Sequence, residues 1–149
     1  MSGESKIIAR PIVIRWLTIL GIVAILLVLI ATGVERRGRV LRNALTANAR
    51  RASRDLVAAM KQYRSEYGFM VEGEPVQIFK TLRGENPRKI VFIDVISSSV
   101  NAQGEFIDPW GTPYRFDISK PDAPRVWSCG PNRKDEGGAE GSDDIVSWH

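Results

Sequence analysis

The strongest candidate for chemistry in this sequence is a pair of neighbouring carboxylates, Asp143 and Asp144, close to the C-terminus. Carboxylate oxygens are hard ligands, and calcium binds six to eight oxygens from carboxylates, amides and backbone carbonyls. The same pair is also typical of an acidic turn in water. Taken alone, it leaves two interpretations open, a calcium site and a solvated turn.

Other reactive side chains are scarce. Cys129 is the only cysteine, so no intrachain disulfide can form, and the only histidine is the last residue, His149. This argues against a histidine-based zinc site and against a Ser-His-Asp triad. Asp94, Asp108 and Asp117 are candidate acids, but no base or nucleophile accompanies them in a recognisable arrangement. We therefore expect a protein that is not an enzyme.

Charge is divided unevenly between the two halves of the chain. Residues 1–67 carry 12 Lys+Arg and 4 Asp+Glu, a net charge of +8, whereas residues 68–149 carry 9 and 13, a net charge of −4. The basic half favours anionic lipid headgroups or an acidic neighbouring subunit as partners. Because no nucleic-acid-binding motif accompanies the charge, we expect no nucleic-acid partner.

Residues 16–34, WLTILGIVAILLVLIATGV, contain no charge between Arg15 and Glu35. As a helix, this stretch spans about 28 Å, close to the hydrocarbon thickness of a bilayer. A cleaved signal peptide would normally have a shorter apolar core and a small-x-small cleavage site, which the residues after Val34 lack. The pattern predicts an uncleaved, single-pass transmembrane helix over 16–34, preceded by a cytoplasmic flank, 1–15.

The orientation of this helix is not settled by charge. Basic residues lie on both sides of the stretch: Lys6, Arg10, Arg15, Arg36, Arg37, Arg39 and Arg42. The positive-inside rule alone favours a cytoplasmic C-terminal side. The second group would also belong to a continuous helix with packing partners of its own, which weakens the rule here.

Residues 36–67 follow a helical periodicity. Apolar residues recur at steps of three or four and form one stripe: Leu41, Leu45, Ala49, Ala52, Leu56, Ala59, Met60, Tyr63 and Tyr67. No proline interrupts residues 12–67, and Gly68 is typical of a helix end. The simplest interpretation is one long helix that continues into a soluble domain, 35–149. The alternative is two helices with a break near Gly38.

The head, residues 68–149, mixes helical and strand patterns. Residues 75–83 predict a short helix that begins at Pro75 and ends before Gly84. The predicted strands are Ile90–Val95, Tyr114–Ser119 and Arg125–Cys129, with a polar loop at 97–106 and a turn at Lys120–Pro124. Because the acidic C-terminal segment ends in Ile145 and Trp148, we expect it to fold back onto the domain. The fold class is therefore α+β.

Three motifs follow one another in the head: DPWGTPY at 108–114, WSCGPN at 127–132 and SDDIVSW at 142–148. Here the chain resembles the major pseudopilin of type II secretion systems, general secretion pathway protein G. That family has D-P-W-G-x-x-Y, then S-x-G-P-D-G, then D-D-I-x-x-W. The amphipathic segment 54–68 resembles the family more loosely, so the resemblance covers about half the chain.

The resemblance implies a pilin-like fold, in which a long helix, half transmembrane and half amphipathic, packs on a small antiparallel sheet with a C-terminal loop. It also implies calcium in that loop. The matching ligands are the backbone carbonyl of Cys129, Asn132 in place of the usual aspartate, Asp143 and Asp144, with Asp135 or Glu140 as alternatives for a further oxygen.

Bulky aromatic residues accompany these motifs. Pro109 fixes a backbone angle and Gly111 permits a tight turn, so DPWG is expected to lead the chain into the sheet. The large aromatic rings of the three motifs are expected to lie in the core: Trp110, Tyr114, Trp127 and Trp148.

The sequence departs from the family at its N-terminus. The family has a glycine, then phenylalanine, then a glutamate five residues into the mature chain, whereas here no glutamate occurs between Glu4 and Glu35. Two functions follow. The first is a structural subunit that assembles through its helix, with copies of itself, other pseudopilins or secretion-system inner-membrane components. The second is an unprocessed, membrane-tethered module that binds another envelope protein. Both imply the bacterial inner membrane and a periplasmic head.

Overall fold

A single helix, α1, runs from Ala9 to Tyr67 in a computed structural model of the chain that describes residues 9–148. It is uninterrupted at Gly38, where a break was the alternative prediction. Contacts divide the chain into two compact units, Met1–Arg42 and Asn43–His149. Residues 1–8 of the predicted cytoplasmic flank and the C-terminal His149 lie outside the described residues.

The first unit contains the apolar part of α1. Its most apolar 18-residue window has a mean hydropathy of 2.8 and none of it is buried, so this helix is long and apolar enough to cross a membrane. The hydroxyls of Thr18 and Thr32 donate to the backbone carbonyls of Arg15 and Leu29, at 2.8 and 3.1 Å. These bonds satisfy the two polar side chains within the helix itself.

The second unit contains the remainder of α1, which buries one face. Five residues of the predicted stripe are buried: Ala49, Leu56, Ala59, Met60 and Tyr63. Ser53 is also buried, whereas its neighbour Ala52, which belongs to the predicted stripe, is only partly buried. The hydroxyl of Ser53 donates to the carbonyl of Ala49 at 3.0 Å, which lets a polar residue lie on this face. The N-terminal end of the predicted stripe does not join this face, because Leu41 is exposed and belongs to the first unit.

Helix α2 runs from Pro75 to Leu82, as the sequence predicts. Gln77 closes its first turn, since its side-chain Oε1 accepts the backbone N–H of Glu74 at 3.2 Å. One face of α2 lies in the core through Ile78, Phe79 and Leu82.

The prediction of a strand at Ile90–Val95 was wrong. Asn86 accepts the N–H of Ile90 at 3.0 Å and donates to its carbonyl at 2.7 Å, so both backbone groups of that residue are occupied. Further along the segment, the backbone N–H groups of Phe92 and Ile93 both donate to the carbonyl of Leu82. The segment is therefore fastened to the end of α2 and has no strand partner.

The sheet has three antiparallel strands in chain order: β1 at Arg115–Asp117, β2 at Arg125–Ser128 and β3 at Ile145–Val146. Phe116 pairs with Val126, and Ser128 pairs with Ile145. The first two strands lie within the predicted ranges. The pairing of β3 with β2 confirms that the C-terminal segment folds back onto the domain. The fold class, α+β with a long N-terminal helix and a small antiparallel sheet, is also as expected.

The core of the second unit contains a row of aromatic rings. Phe106 stacks between Phe79 and Tyr114, with ring centroids 4.9 and 5.0 Å apart, and all three are buried. The prediction that the tryptophans would join them was wrong, because Trp110, Trp127 and Trp148 are only half-buried. An indole N–H needs a polar partner, which favours a position at the edge of a core.

Candidate functional site

Strands β2 and β3 hold the two ends of the C-terminal loop together. Ser128 and Ile145 form the last pair between these strands, so the next residues outward, Cys129 and Asp144, are held at the start and the end of the loop. Gly130 then has a φ of +65°, and a Cβ atom there would lie 2.1 Å from the carbonyl oxygen of Asp143. Only glycine permits this close approach of the two loop ends.

Asp144 is the most deeply buried acid of the loop, with 9% of its surface exposed. Its Oδ2 accepts the backbone N–H groups of Gly138 at 2.8 Å and Glu136 at 3.1 Å. Its Oδ1 is buried and has no hydrogen-bond partner among residues 9–148. A carboxylate oxygen buried without a donor is unfavourable unless a cation or a water molecule meets it.

Asp143 and Asn132 bind each other. The backbone N–H of Asn132 donates to Oδ2 of Asp143 at 3.0 Å, and its side-chain Nδ2 donates to Oδ1. The amide oxygen of Asn132 accepts the backbone N–H of Lys134 at 2.6 Å. That bond fixes the side-chain amide so that its NH₂ group, and not its oxygen, faces Asp143.

Asp135 and Glu140, the two alternatives for a further oxygen, have different surroundings. Oδ1 of Asp135 accepts the indole N–H of Trp127 at 2.9 Å, and its Oδ2 forms an ion pair with Nε of Arg115 at 3.2 Å. Asp135 is thereby committed to protein partners. Glu140 is exposed in a turn.

The thiol of Cys129 lies next to these charges. It is fully buried, and burial raises its pKa. Arg115 lowers the pKa through a hydrogen bond and its charge, while the carboxylates of Asp135 and Asp144 raise it. The thiol is therefore protonated at neutral pH and is not a reactive nucleophile.

The loop fits a hard cation in part. No group of three or more His, Cys, Asp or Glu side chains that could hold a metal occurs in the described part of the chain. The unpaired Oδ1 of Asp144 suits a cation ligand, and backbone carbonyls can supply further oxygens. Asp143 and Asn132 would have to give up their mutual hydrogen bond to join it.

Asp108, which the sequence offered only as a candidate acid, organises the approach to this loop. Its Oδ1 accepts the backbone N–H groups of Thr112 at 2.8 Å and Trp110 at 3.0 Å, and its Oδ2 accepts the hydroxyl of Ser128 at 2.5 Å. Ser128 Oγ in turn accepts the N–H of Gly130 at 3.0 Å. The bond from Trp110 to Asp108 could have been predicted from the sequence, because an aspartate at the start of a turn that contains proline and glycine often accepts the backbone N–H two residues later.

An open groove of about 780 Å³ lies beside α1 in the second unit. Its charged lining residues are Arg51, Asp55, Asp94 and Asp108, and the residues that line it include no histidine, cysteine or lysine. Both oxygens of Asp108 accept hydrogen bonds within the protein. Asp55 forms an ion pair with Arg51, and the hydroxyl groups of the lining belong to Ser98, Ser99 and Tyr114.

Comparisons of the chain with protein-family profiles, with curated proteins and with solved structures found no match in any of the three.

Proposed function

We propose that this chain is a membrane-anchored structural subunit of the pseudopilin type, with no enzymatic activity. The observation that supports this most is the division of α1. Its first part is apolar and exposed on all sides, whereas its second part buries one face in a small α+β head. An apolar helix exposed in this way needs lipid or other helices around it.

The proposed location is the inner membrane of a bacterium, with one crossing, residues 1–15 in the cytoplasm and the head in the periplasm. The proposed partners are further copies of the chain, other pseudopilins and the inner-membrane components of a type II secretion system. Support comes from the DPWGTPY, WSCGPN and SDDIVSW motifs.

Assembly is proposed to use α1. Val40 and Leu41 are 69% and 60% exposed although they lie beyond the apolar stretch, among arginines. Exposed aliphatic side chains on a helix gain free energy when a second helix covers them, at about 25 cal/mol per Å² of apolar surface buried. These two residues therefore support helix-to-helix contact at this level.

Calcium is proposed to bind in the C-terminal loop, with Asp144 as its buried carboxylate and Asp143 beside it. Further oxygens would come from the Cys129 carbonyl, Asn132, and Glu140 or Asp135, and Asp135 would first have to leave Trp127 or Arg115. When bound, the ion supplies positive charge to an acidic loop and links its two ends. The unpaired oxygen of Asp144 is the support for this part.

The decisive experiment is disulfide crosslinking in native membranes. Leu41→Cys is introduced together with Cys129→Ala, so that the new cysteine is the only one. Oxidation is expected to give dimers at low expression levels. Lys120→Cys, an exposed site in the turn between β1 and β2, is the matched control. Monomers alone from Leu41→Cys at every expression level would refute assembly through α1.

The alternative function is a tethered module that binds another envelope protein through its head. Its support is the absence of a glutamate between Glu4 and Glu35, where the family has one. Mass spectrometry of the membrane-extracted chain distinguishes the two proposals. An intact N-terminus together with a monomeric state favours the module, whereas a shortened N-terminus and crosslinked oligomers favour the assembly subunit.

A further inference from the structure

Four arginines form a belt around α1 immediately after its apolar part. They are Arg36, Arg37, Arg39 and Arg42, all exposed and all in the first compact unit. No ion pair involves any of them among the described residues. The one acidic neighbour is Glu35, so the belt keeps a net charge of +3.

Helical geometry distributes this charge over most of the circumference. At about 100° per residue, the four arginines leave one open sector of about 140°, between Arg37 and Arg42, and Leu41 lies in that sector. A stripe that served one protein partner would occupy one face. The distribution therefore fits lipid around most of the helix, with the Leu41 side left for the proposed contact with a second helix.

The height of the belt suits a lipid partner for its first three arginines. The six steps from Arg36 to Arg42 rise about 9 Å along the helix, whereas one headgroup layer is about 5–7 Å thick. The belt begins two residues after Val34, the last residue of the apolar stretch. With that stretch in the hydrocarbon, Arg36, Arg37 and Arg39 start about 3–8 Å beyond its edge, close to the phosphates. Arg42 starts about 12 Å beyond it, and its long side chain, which tilts toward the helix N-terminus, reaches back toward the headgroups.

We propose that Arg36, Arg37, Arg39 and Arg42 bind the phosphate groups of anionic phospholipids as a ring around α1 that is open on the side of Leu41. The proposal rests on the membrane anchoring of the proposed function. Guanidinium groups hold phosphate oxygens through paired N–H donors and are weakly hydrated, which suits the interface. The ring selects anionic lipids over zwitterionic ones and fixes the depth of the helix in the bilayer.

The test uses the full chain reconstituted in phosphatidylcholine bilayers with spin-labelled phosphatidylglycerol or phosphatidylcholine. Electron spin resonance measures the relative association constant of each lipid with the protein. We expect phosphatidylglycerol to be preferred several-fold at low salt and the preference to fall as salt rises. Changing all four arginines to glutamine is expected to bring the ratio to about one, since the charges that attract the anionic lipid are then removed.

Two further variants make the result specific. Changing the four arginines to lysine keeps the charge and loses the paired donors, so an intermediate preference is expected. Changing four exposed basic residues of the second unit to glutamine removes the same charge and is expected to leave the preference intact: Arg50, Lys61, Lys80 and Lys120.

Four results would overturn the proposal. The first is equal association of both lipids with the unmodified chain, and the second is a preference that survives the four glutamines. Either result would contradict the lipid ring without contradicting the membrane anchor. A preference that disappears in the second-unit control instead points to an acidic-lipid or acidic-protein contact of the head. Release of the unmodified chain from membranes by alkaline carbonate would overturn the membrane anchor and the ring together.

Discussion

Ser128 donates a 2.5 Å hydrogen bond to the buried carboxylate of Asp108, twenty residues earlier in the chain. This contact joins the Asp-Pro-Trp-Gly turn to β2, and Ser128 passes it on to Gly130 at the start of the C-terminal loop. Two motifs that are separate in the sequence therefore act as one hydrogen-bonded unit.

Replacing Asp108 is expected to destabilise the head strongly. Asp108→Ala leaves the N–H groups of Trp110 and Thr112 and the hydroxyl of Ser128 without their acceptor, at a cost of about 3 kcal/mol. Urea unfolding of the full chain in detergent, followed by tryptophan fluorescence, measures the difference. Asp122→Ala, which removes an exposed carboxylate paired with Arg64, is the control and is expected to change little. Equal effects of the two variants would contradict the role of Asp108.

Gly130 and Gly141 provide a matched pair for the loop closure. Both have positive φ angles, +65° and +83°, but only at Gly130 would a Cβ atom meet the carbonyl of Asp143. Gly141→Ala is expected to cost about 1–2 kcal/mol from backbone conformation alone. Gly130→Ala is expected to cost more and to expose the loop to limited proteolysis. If both variants melt at the same temperature, the close approach at Gly130 is not important for stability.

Calcium is expected to raise the melting temperature of the full chain in detergent relative to a chelator, because a ligand that binds only the folded state stabilises it. Asp144→Asn is expected to abolish that rise. Without calcium, the same variant is expected to be no less stable than the unmodified chain, since the unpaired charged oxygen is replaced by a neutral group. Asp122→Asn serves as the exposed control and is expected to keep the response. A calcium response that persists in Asp144→Asn would place the ion elsewhere.

Alkaline pH is expected to weaken folding partly through Cys129. Its thiol has a raised pKa in the folded state, because it is buried, so the unfolded chain binds fewer protons above pH 9. Its contribution to stability is complete below the unfolded pKa and is lost as pH rises toward the folded pKa, with a slope of up to about 1.4 kcal/mol per pH unit. Urea titrations between pH 8 and 10 measure this slope.

Cys129→Ala is the comparison for that titration. It is expected to be less stable at every pH because it leaves a small cavity, but its stability is expected to fall less steeply between pH 9 and 10. The pKa of Tyr114 is also raised, by burial and by Asp108, and this residue contributes equally to both proteins. Identical slopes would show that the thiol does not contribute.

Periodicity predicted the regular elements well and one element wrongly. The sequence predicted the helical stripe from Ala49 to Tyr63 and the strand around Phe116, because the spacing of apolar residues indicates which face of a helix or strand packs on the core. Ile90–Val95 has equally good strand composition. It did not become a strand because Asn86 and Leu82 occupy its backbone groups, and a strand exists only with a partner.

The candidate site was predictable in outline and not in detail. The nearness of Asp143 and Asp144 to Cys129 follows from β3 pairing with β2, whereas the sequence indicated only that the C-terminal segment folds back onto the domain. The direct hydrogen bond between Asn132 and Asp143 could not be predicted. It depends on the orientation of the Asn132 side-chain amide, which the backbone N–H of Lys134 fixes. Side-chain choices of this kind depend on backbone N–H groups brought together by folding, and spacing in the sequence does not report them.

The hydrogen bonds between Asn132 and Asp143 close the C-terminal loop next to the sheet, so the length of the loop can change while the sheet stays intact. Both ends of the segment are fixed at that point, and the entropy of closing a loop rises only slowly with added residues. Ala139 and Glu140, exposed in the turn between them, are therefore a natural insertion point for a fluorophore or an affinity tag. A label there would report on the head from outside while β2 and β3 keep their register.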